Sequence, residues 1–84
     1  MNTEQRVRTA TVKIVVVDAS DALQKISAEV EANGGYVSDS RLWRDGEQVN
    51  ATITLRVPAD KLTETLAKIR GVAKRVDSEV VSSL

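Results

Sequence analysis

From residue 8 to residue 17 the chain alternates. Ala10, Val12, Ile14 and Val16 fall on one side, and Thr9, Thr11 and Lys13 on the other. That period of two, in β-branched residues, predicts a half-buried strand. The run Val15-Val16-Val17 predicts that its far end is covered on both faces. The period then changes. Ala19, Leu23, Ile26 and Val30 recur at helical spacing over residues 19–33. Asp18 and Asp21 stand where N-cap oxygens and first-turn acids belong, and Asn33-Gly34-Gly35 supplies the C-terminal stop.

Residues 36–44 read as a second strand with two competing registers, Tyr36/Ser38/Ser40/Leu42 and Val37/Asp39/Arg41/Trp43. Neither is cleanly apolar, as expected of a sheet edge, where charge discourages pairing with another chain. Asp45-Gly46 signals a hairpin turn. The third strand, residues 49–57, alternates best of all, with Val49, Ala51, Ile53, Leu55 and Val57 facing one way. Pro58 ends it and suits a helix start. Leu62, Leu66 and Ile69 mark a second helix over residues 59–70, closed by Gly71. Residues 72–81 form a last strand with Val72, Val76 and Val80 on one face.

The order is β-α-β-β-α-β. Right-handed crossovers place both helices on one face of a four-stranded antiparallel sheet of order 4-1-3-2, an α+β, two-layer ferredoxin-like sandwich. Residues 1–7 read as a polar lead-in and residues 8–84 as the single domain. The expected inward set is Val12, Ile14, Val16, Leu23, Ile26, Val30, Ile53, Leu55, Val57, Leu62, Leu66, Ile69, Val76 and Val80. The open face should carry Thr11, Lys13, Thr52, Thr54 and Arg56, with Arg75, Asp77 and Glu79 from the last strand. Asp77 and Glu79 are expected to meet Lys13 and Arg56 across the sheet.

Composition narrows the chemistry. The 84 residues support one domain with a single core. Twelve basic residues balance twelve acidic ones, so no net field draws the chain to nucleic acid or an anionic membrane. Without Cys there is no disulfide, thiolate metal site or cysteine nucleophile, and without His the commonest metal ligand and general base are missing. Serines such as Ser20, Ser27, Ser38 and Ser40 lack a His to activate them, and no spacing pairs one with a lysine. Asp18 and Asp21 are accounted for by capping. No catalytic residue, metal site or cofactor is expected. Single-stranded RNA is read by aromatics on central strands, whereas Thr9, Thr11, Lys13, Thr52, Thr54 and Arg56 hold those positions here. No apolar run is long enough to span a bilayer, and the polar start of the chain does not read as a signal peptide.

One residue is not demanded by the fold. Trp43 stands beside Arg41 and Arg44 next to the hairpin turn, and Trp with Arg is a common binding pair. The plainer alternative is that Trp43 covers the end of the core. Trp43, Arg41 and Arg44 are the candidate binding residues, toward a protein partner or a second copy added at the sheet edge.

Three blocks carry a family resemblance: Arg8-Thr9-Ala10-Thr11-Val12, Asn33-Gly34-Gly35-Tyr36-Val37, and Ala51-Thr52-Ile53-Thr54-Leu55-Arg56-Val57-Pro58-Ala59-Asp60-Lys61-Leu62. Together they resemble an uncharacterised bacterial family of domains of unknown function, found in lipoproteins inferred from sequence and in anti-sigma-factor-like membrane proteins. The resemblance runs from residue 8 to about residue 83. It implies an extracytoplasmic domain, in the periplasm or at the cell surface, of a membrane-anchored protein, with a coiled coil and a transmembrane helix following it. The chain is therefore expected to be a piece of such a protein. The resemblance implies no catalytic residues. The expected function is a non-catalytic interaction or sensing domain of the bacterial envelope. Two alternatives stay open. The chain is similar in topology to the ACT domain, a small-ligand regulatory module, although Asp18-Ala19-Ser20-Asp21 replaces that module's usual Pro-Gly. The other is a self-assembling, ring-type structural domain.

Overall fold

The computed structural model describes residues 6–82. Strand β1 spans Val7–Val16, helix α1 Ala19–Ala32, β2 Tyr36–Asp45, β3 Gln48–Pro58, helix α2 Leu62–Val72 and β4 Arg75–Ser82. The sheet has the order β2-β3-β1-β4, the expected order read from the other side, and all neighbours are antiparallel. Of the expected lead-in, residues 1–5 lie outside the described residues, and Val7 already belongs to β1. Of the chain's last residues, 83 and 84 lie outside them too.

The alternation of β1 and β3 survives intact. Ala10, Val12, Ile14, Val16, Val49, Ala51, Ile53, Leu55 and Val57 are buried and share one core with Ala22, Ile26, Val30, Leu66 and Ile69 of the helices. Leu23, Leu62 and Val76 pack against that core half-buried. Thr65 is fully buried, a position the apolar pattern does not show. Its Oγ1 donates to the Lys61 carbonyl at 2.7 Å, which removes the penalty of burying a hydroxyl. Val15 and Val16 are both buried, as their run predicts, but Val17 is exposed.

Local chemistry explains the helix ends. The Asp21 backbone N–H donates to Asp18 Oδ1 at 2.9 Å, an N-cap. Gly34 adopts φ +85° and turns the chain out of α1. A Cβ on the next residue, Gly35, would lie 2.1 Å from the Arg56 carbonyl oxygen and 2.5 Å from Val57 Cγ1. Only glycine lets the start of β2 pass so close to β3. The β2–β3 turn is centred one residue later than expected, on Gly46 and Glu47, because Asp45 pairs with Gln48. Gly46 supplies the positive φ, +66°.

Several expectations about the ends of the chain's second half need correcting. Pro58 closes β3, a single 3-10 turn fills Ala59–Lys61, and α2 starts only at Leu62. Gly71 does not stop α2, which runs through it to Val72. Val72 is therefore helical rather than the start of a strand. Val80 does not face inward but is 62% exposed. The cause is a bulge. Lys13 pairs with Ser78 while its neighbour Ile14 pairs with Val76, so Asp77 is the extra residue. Past it, every side chain of β4 changes face. Val80 joins the open side opposite Thr11, and Glu79 joins the helix side opposite Val12.

Candidate functional site

A second bulge shapes β2. Val37 pairs with Leu55 and Asp39 with Thr54, leaving Ser38 as the extra residue. Its Oγ donates to the Thr54 carbonyl at 3.3 Å, so the hydroxyl turns back toward β3. The two competing registers are thus both used, one on each side of Ser38. The strand presents Tyr36, Asp39, Arg41 and Trp43 to the open face, opposite Arg56, Thr54, Thr52 and Asn50. It presents Val37, Ser40, Leu42 and Arg44 to the helix side, opposite the buried Leu55, Ile53, Ala51 and Val49.

Four rows therefore cross the open face, following the strand order. They are Trp43–Asn50–Val15–Arg75, Arg41–Thr52–Lys13–Ser78, Asp39–Thr54–Thr11–Val80 and Tyr36–Arg56–Thr9–Ser82. The two central members of the first row are covered. Asn50 is 5% and Val15 3% exposed, and Gln48 Nε2 donates to Asn50 Oδ1 at 3.3 Å. The remaining rows are polar apart from Val80 and Tyr36, and within the third the Thr11 and Thr54 hydroxyls meet at 3.1 Å.

Of the candidate residues, the structure brings Trp43 and Arg41 onto one face as neighbours on alternate positions. Arg44 is not with them. It points to the helix side, where it lines a shallow groove with Ala19, Leu42 and Val49. Trp43 also reaches that groove and is 39% exposed, beside Leu42 at 40%. Tyr36, 51% exposed at the other end of the same strand, was not singled out by the residue pattern. The signal was present in the Tyr36 register, but the bulge that puts Tyr36 and Trp43 on one face is not written locally.

Charges divide the two edges of the sheet. On the β4 side Arg75 donates from Nε to Asp77 Oδ1 at 2.7 Å. That hydrogen bond holds the Asp77 carboxyl below its ordinary value. The Arg75 charge and Lys13 add to the effect against some desolvation. Glu79 does not reach across the sheet to Lys13 or Arg56. It takes a two-pronged pair of hydrogen bonds from Arg70 of α2, each 2.7 Å, which raises the guanidinium's pKa. On the β2 side, no described residue forms an ion pair with Asp39, Arg41, Arg44 or Asp45.

The remaining polar groups have structural work. Asp18 caps α1 and Asp21 pairs with Lys25 at 3.0 Å. Ser20 and Ser27 lie along α1 in an open hollow with Leu23, Gln24, Ala28 and Glu31. Among the described residues no group of three or more acidic side chains could hold a metal ion, and no helix is long and apolar enough to cross a membrane.

Comparison with known proteins bears on the fold and the family. Residues 4–83 match the model of a family described as a domain of unknown function, DUF4349. Among curated proteins none matches in sequence. The solution structure of the C-terminal domain of the MgtC protein from Mycobacterium tuberculosis is similar with a TM-score of 0.63 at 12% identity, over 100% of this chain and 93% of that one. An unknown protein from Galdieria sulphuraria gives 0.70 at 10% identity, over 94% of this chain but 46% of its own. The divalent ion tolerance protein CutA1 from Ehrlichia chaffeensis gives 0.54 at 12% identity, over 98% and 82%. At such identities the likeness is one of fold alone.

Proposed function

Since the chain belongs to the DUF4349 family of domains of unknown function, we propose that it is a non-catalytic interaction domain that recognises another protein chain through the free edge of β2. The observation that carries this reading is the exposed aromatic side chains at that edge together with charges that lack ion-pair partners. Trp43, Leu42 and Tyr36 are all partly exposed on one edge strand, and its acids and arginines have no ion-pair partner among the described residues. Unpaired backbone groups along an edge strand can accept an added strand, with aromatic side chains supplying apolar area and arginines supplying orientation.

The same proposal takes the two layers as a ferredoxin-like sandwich, which the strand order and the core shared by sheet and helices support. It also places the domain outside the cytoplasm, in a membrane-anchored bacterial protein, on the strength of the resemblance carried by residues 8–83.

The test is a photo-crosslinking amino acid introduced at Leu42 on the β2 edge or at Gln24 on the outer surface of α1, in cells making the full protein. A discrete adduct with a protein chain from position 42 and none from position 24 is expected. No adduct from 42, or equal adducts from both, overturns the proposal. Placement is tested by protease digestion of spheroplasts, which should remove the domain only if it lies outside the cytoplasm.

A further inference from the structure

Resting on the β2 edge as the recognition surface, we propose that the chain which adds to it is a second copy of this one, paired antiparallel about a two-fold axis through Ser40. Because of the Ser38 bulge, β2 reads the same in both directions in chemical kind. Outward from Ser40 the open face carries Arg41 and then Trp43 one way, and Asp39 and then Tyr36 the other. The helix side carries Leu42 one way and Val37 the other. An antiparallel neighbour sets side chains of the same face directly opposite one another. Centred on Ser40, that pairing sets Arg41 against the partner's Asp39, Leu42 against the partner's Val37 and Trp43 against the partner's Tyr36. Each contact occurs twice by symmetry.

Other centres fail. Centring on Asp39 opposes two carboxylates, and centring on Arg41 opposes two guanidinium groups. The bulge is needed as well. Counting Ser38 as an ordinary residue would set Trp43 against the partner's Val37 and Leu42 against the partner's Ser38, placing unlike faces together. The β4 edge does not match itself in this way. Counted with Asp77 as the extra residue, a two-fold at Ser78 sets Glu79 against the partner's Val76 and Val80 against the partner's Arg75, charged side chains against apolar ones. Its charges are also engaged within the domain, by Arg75 and Arg70.

The pairing at Ser40 makes one eight-stranded sheet with the helices of both copies on one side. It uses the same edge of each copy, so it closes at a dimer and does not grow into a filament. It also accounts for the half-exposed Tyr36, Leu42 and Trp43.

Sedimentation equilibrium of this chain, from low micromolar to high micromolar concentration, tests the proposal. The wild type is expected to move reversibly from monomer to dimer. Asp39→Arg and Arg41→Asp each set two like-charged pairs in the interface, and each should weaken association by about tenfold or more. The double swap, D39R with R41D, restores opposite charges and should return association to within a few-fold of wild type. Both positions are exposed, and thermal melts of each variant confirm folding. A wild type that stays monomeric throughout, single swaps that associate like wild type, or a double swap that fails to recover overturns the dimer. If the wild type is monomeric while a crosslinker at position 42 captures a different protein, the dimer falls and the interaction domain stands. If position 42 captures nothing, both fall.

Discussion

The two outer strands of the sheet solve the same problem differently. Each is an edge with unpaired backbone groups, each carries one bulge, and each is rich in charge. On β4 the bulge turns Glu79 under the sheet to Arg70 and leaves Asp77 beside Arg75, so those charges are satisfied at home. On β2 the bulge gathers Tyr36, Asp39, Arg41 and Trp43 on one face, and the charges there find no ion-pair partner among the described residues. A bulge therefore sits beside paired charges on one edge and beside charges without ion-pair partners among the described residues on the other. Charge on an edge strand is ordinarily read as protection against unwanted pairing. On the reading proposed above, its placement distinguishes protection from recognition.

The contrast presupposes one core carrying both edges. Ile26, fully buried in α1, is part of it. Ile26→Ala should cost about 2–5 kcal/mol in denaturant melts, and amides of β2 and β4 should lose exchange protection together. If β4 kept its protection while β2 melted, the edges would belong to separate cooperative units.

The bulge on β2 is tested by deletion. Removing Ser40 also takes up the extra residue, but it sets Asp39 opposite Ile53 on the helix side and Ser38 opposite Thr54, for about 2–3 kcal/mol. Removing Ser38 leaves the faces as they are and loses one long hydrogen bond, for about 1 kcal/mol or less. Equal losses from the two deletions would mean that Ser38 is not the extra residue.

Gly35 fixes where β2 begins. Gly35→Ala drives a Cβ against the Arg56 carbonyl and Val57, and should cost about 1–3 kcal/mol. Gly46→Ala meets no atom within 4 Å, so its cost should come from backbone strain at φ +66° alone. Comparing these melts separates close approach from conformation as the reason for glycine.

The smallest effect sits on β4. The Asp77 carboxyl is depressed below its ordinary value of 3.8, chiefly by the hydrogen bond from Arg75. A depressed acid stabilises the fold above its unfolded pKa, and that contribution disappears as pH falls through the folded pKa. Wild type should therefore lose a little more stability than Asp77→Asn between pH values just above 3.8 and the acid range below it. The exposed surroundings keep the difference small. Identical acid profiles would show that the Arg75 contact contributes nothing in solution.

Much of the molecule is written in local pattern. The strict alternation of β1 and β3 decides which face they bury, since a period of two matches the pleat without reference to any other element. The spacing of Ile26, Val30, Leu66 and Ile69 does the same for the helices. Asp18 declares a helix start and Gly34 a helix end, because capping and positive φ are properties of a few adjacent atoms. From these pieces the element order and strand order follow. What local pattern could not decide is the facing of the two edge strands. In residues 36–45 and 75–82 both possible faces carry mixed residues, so neither register is selected by burial. The choice falls to pairing with β3 and β1, which admits one extra residue at Ser38 and one at Asp77. Those bulges send Val80 outward and Glu79 to Arg70, and they set Tyr36 and Trp43 on a common face. A bulge is a mismatch in count between two strands, and a count between strands exists only once they are laid side by side.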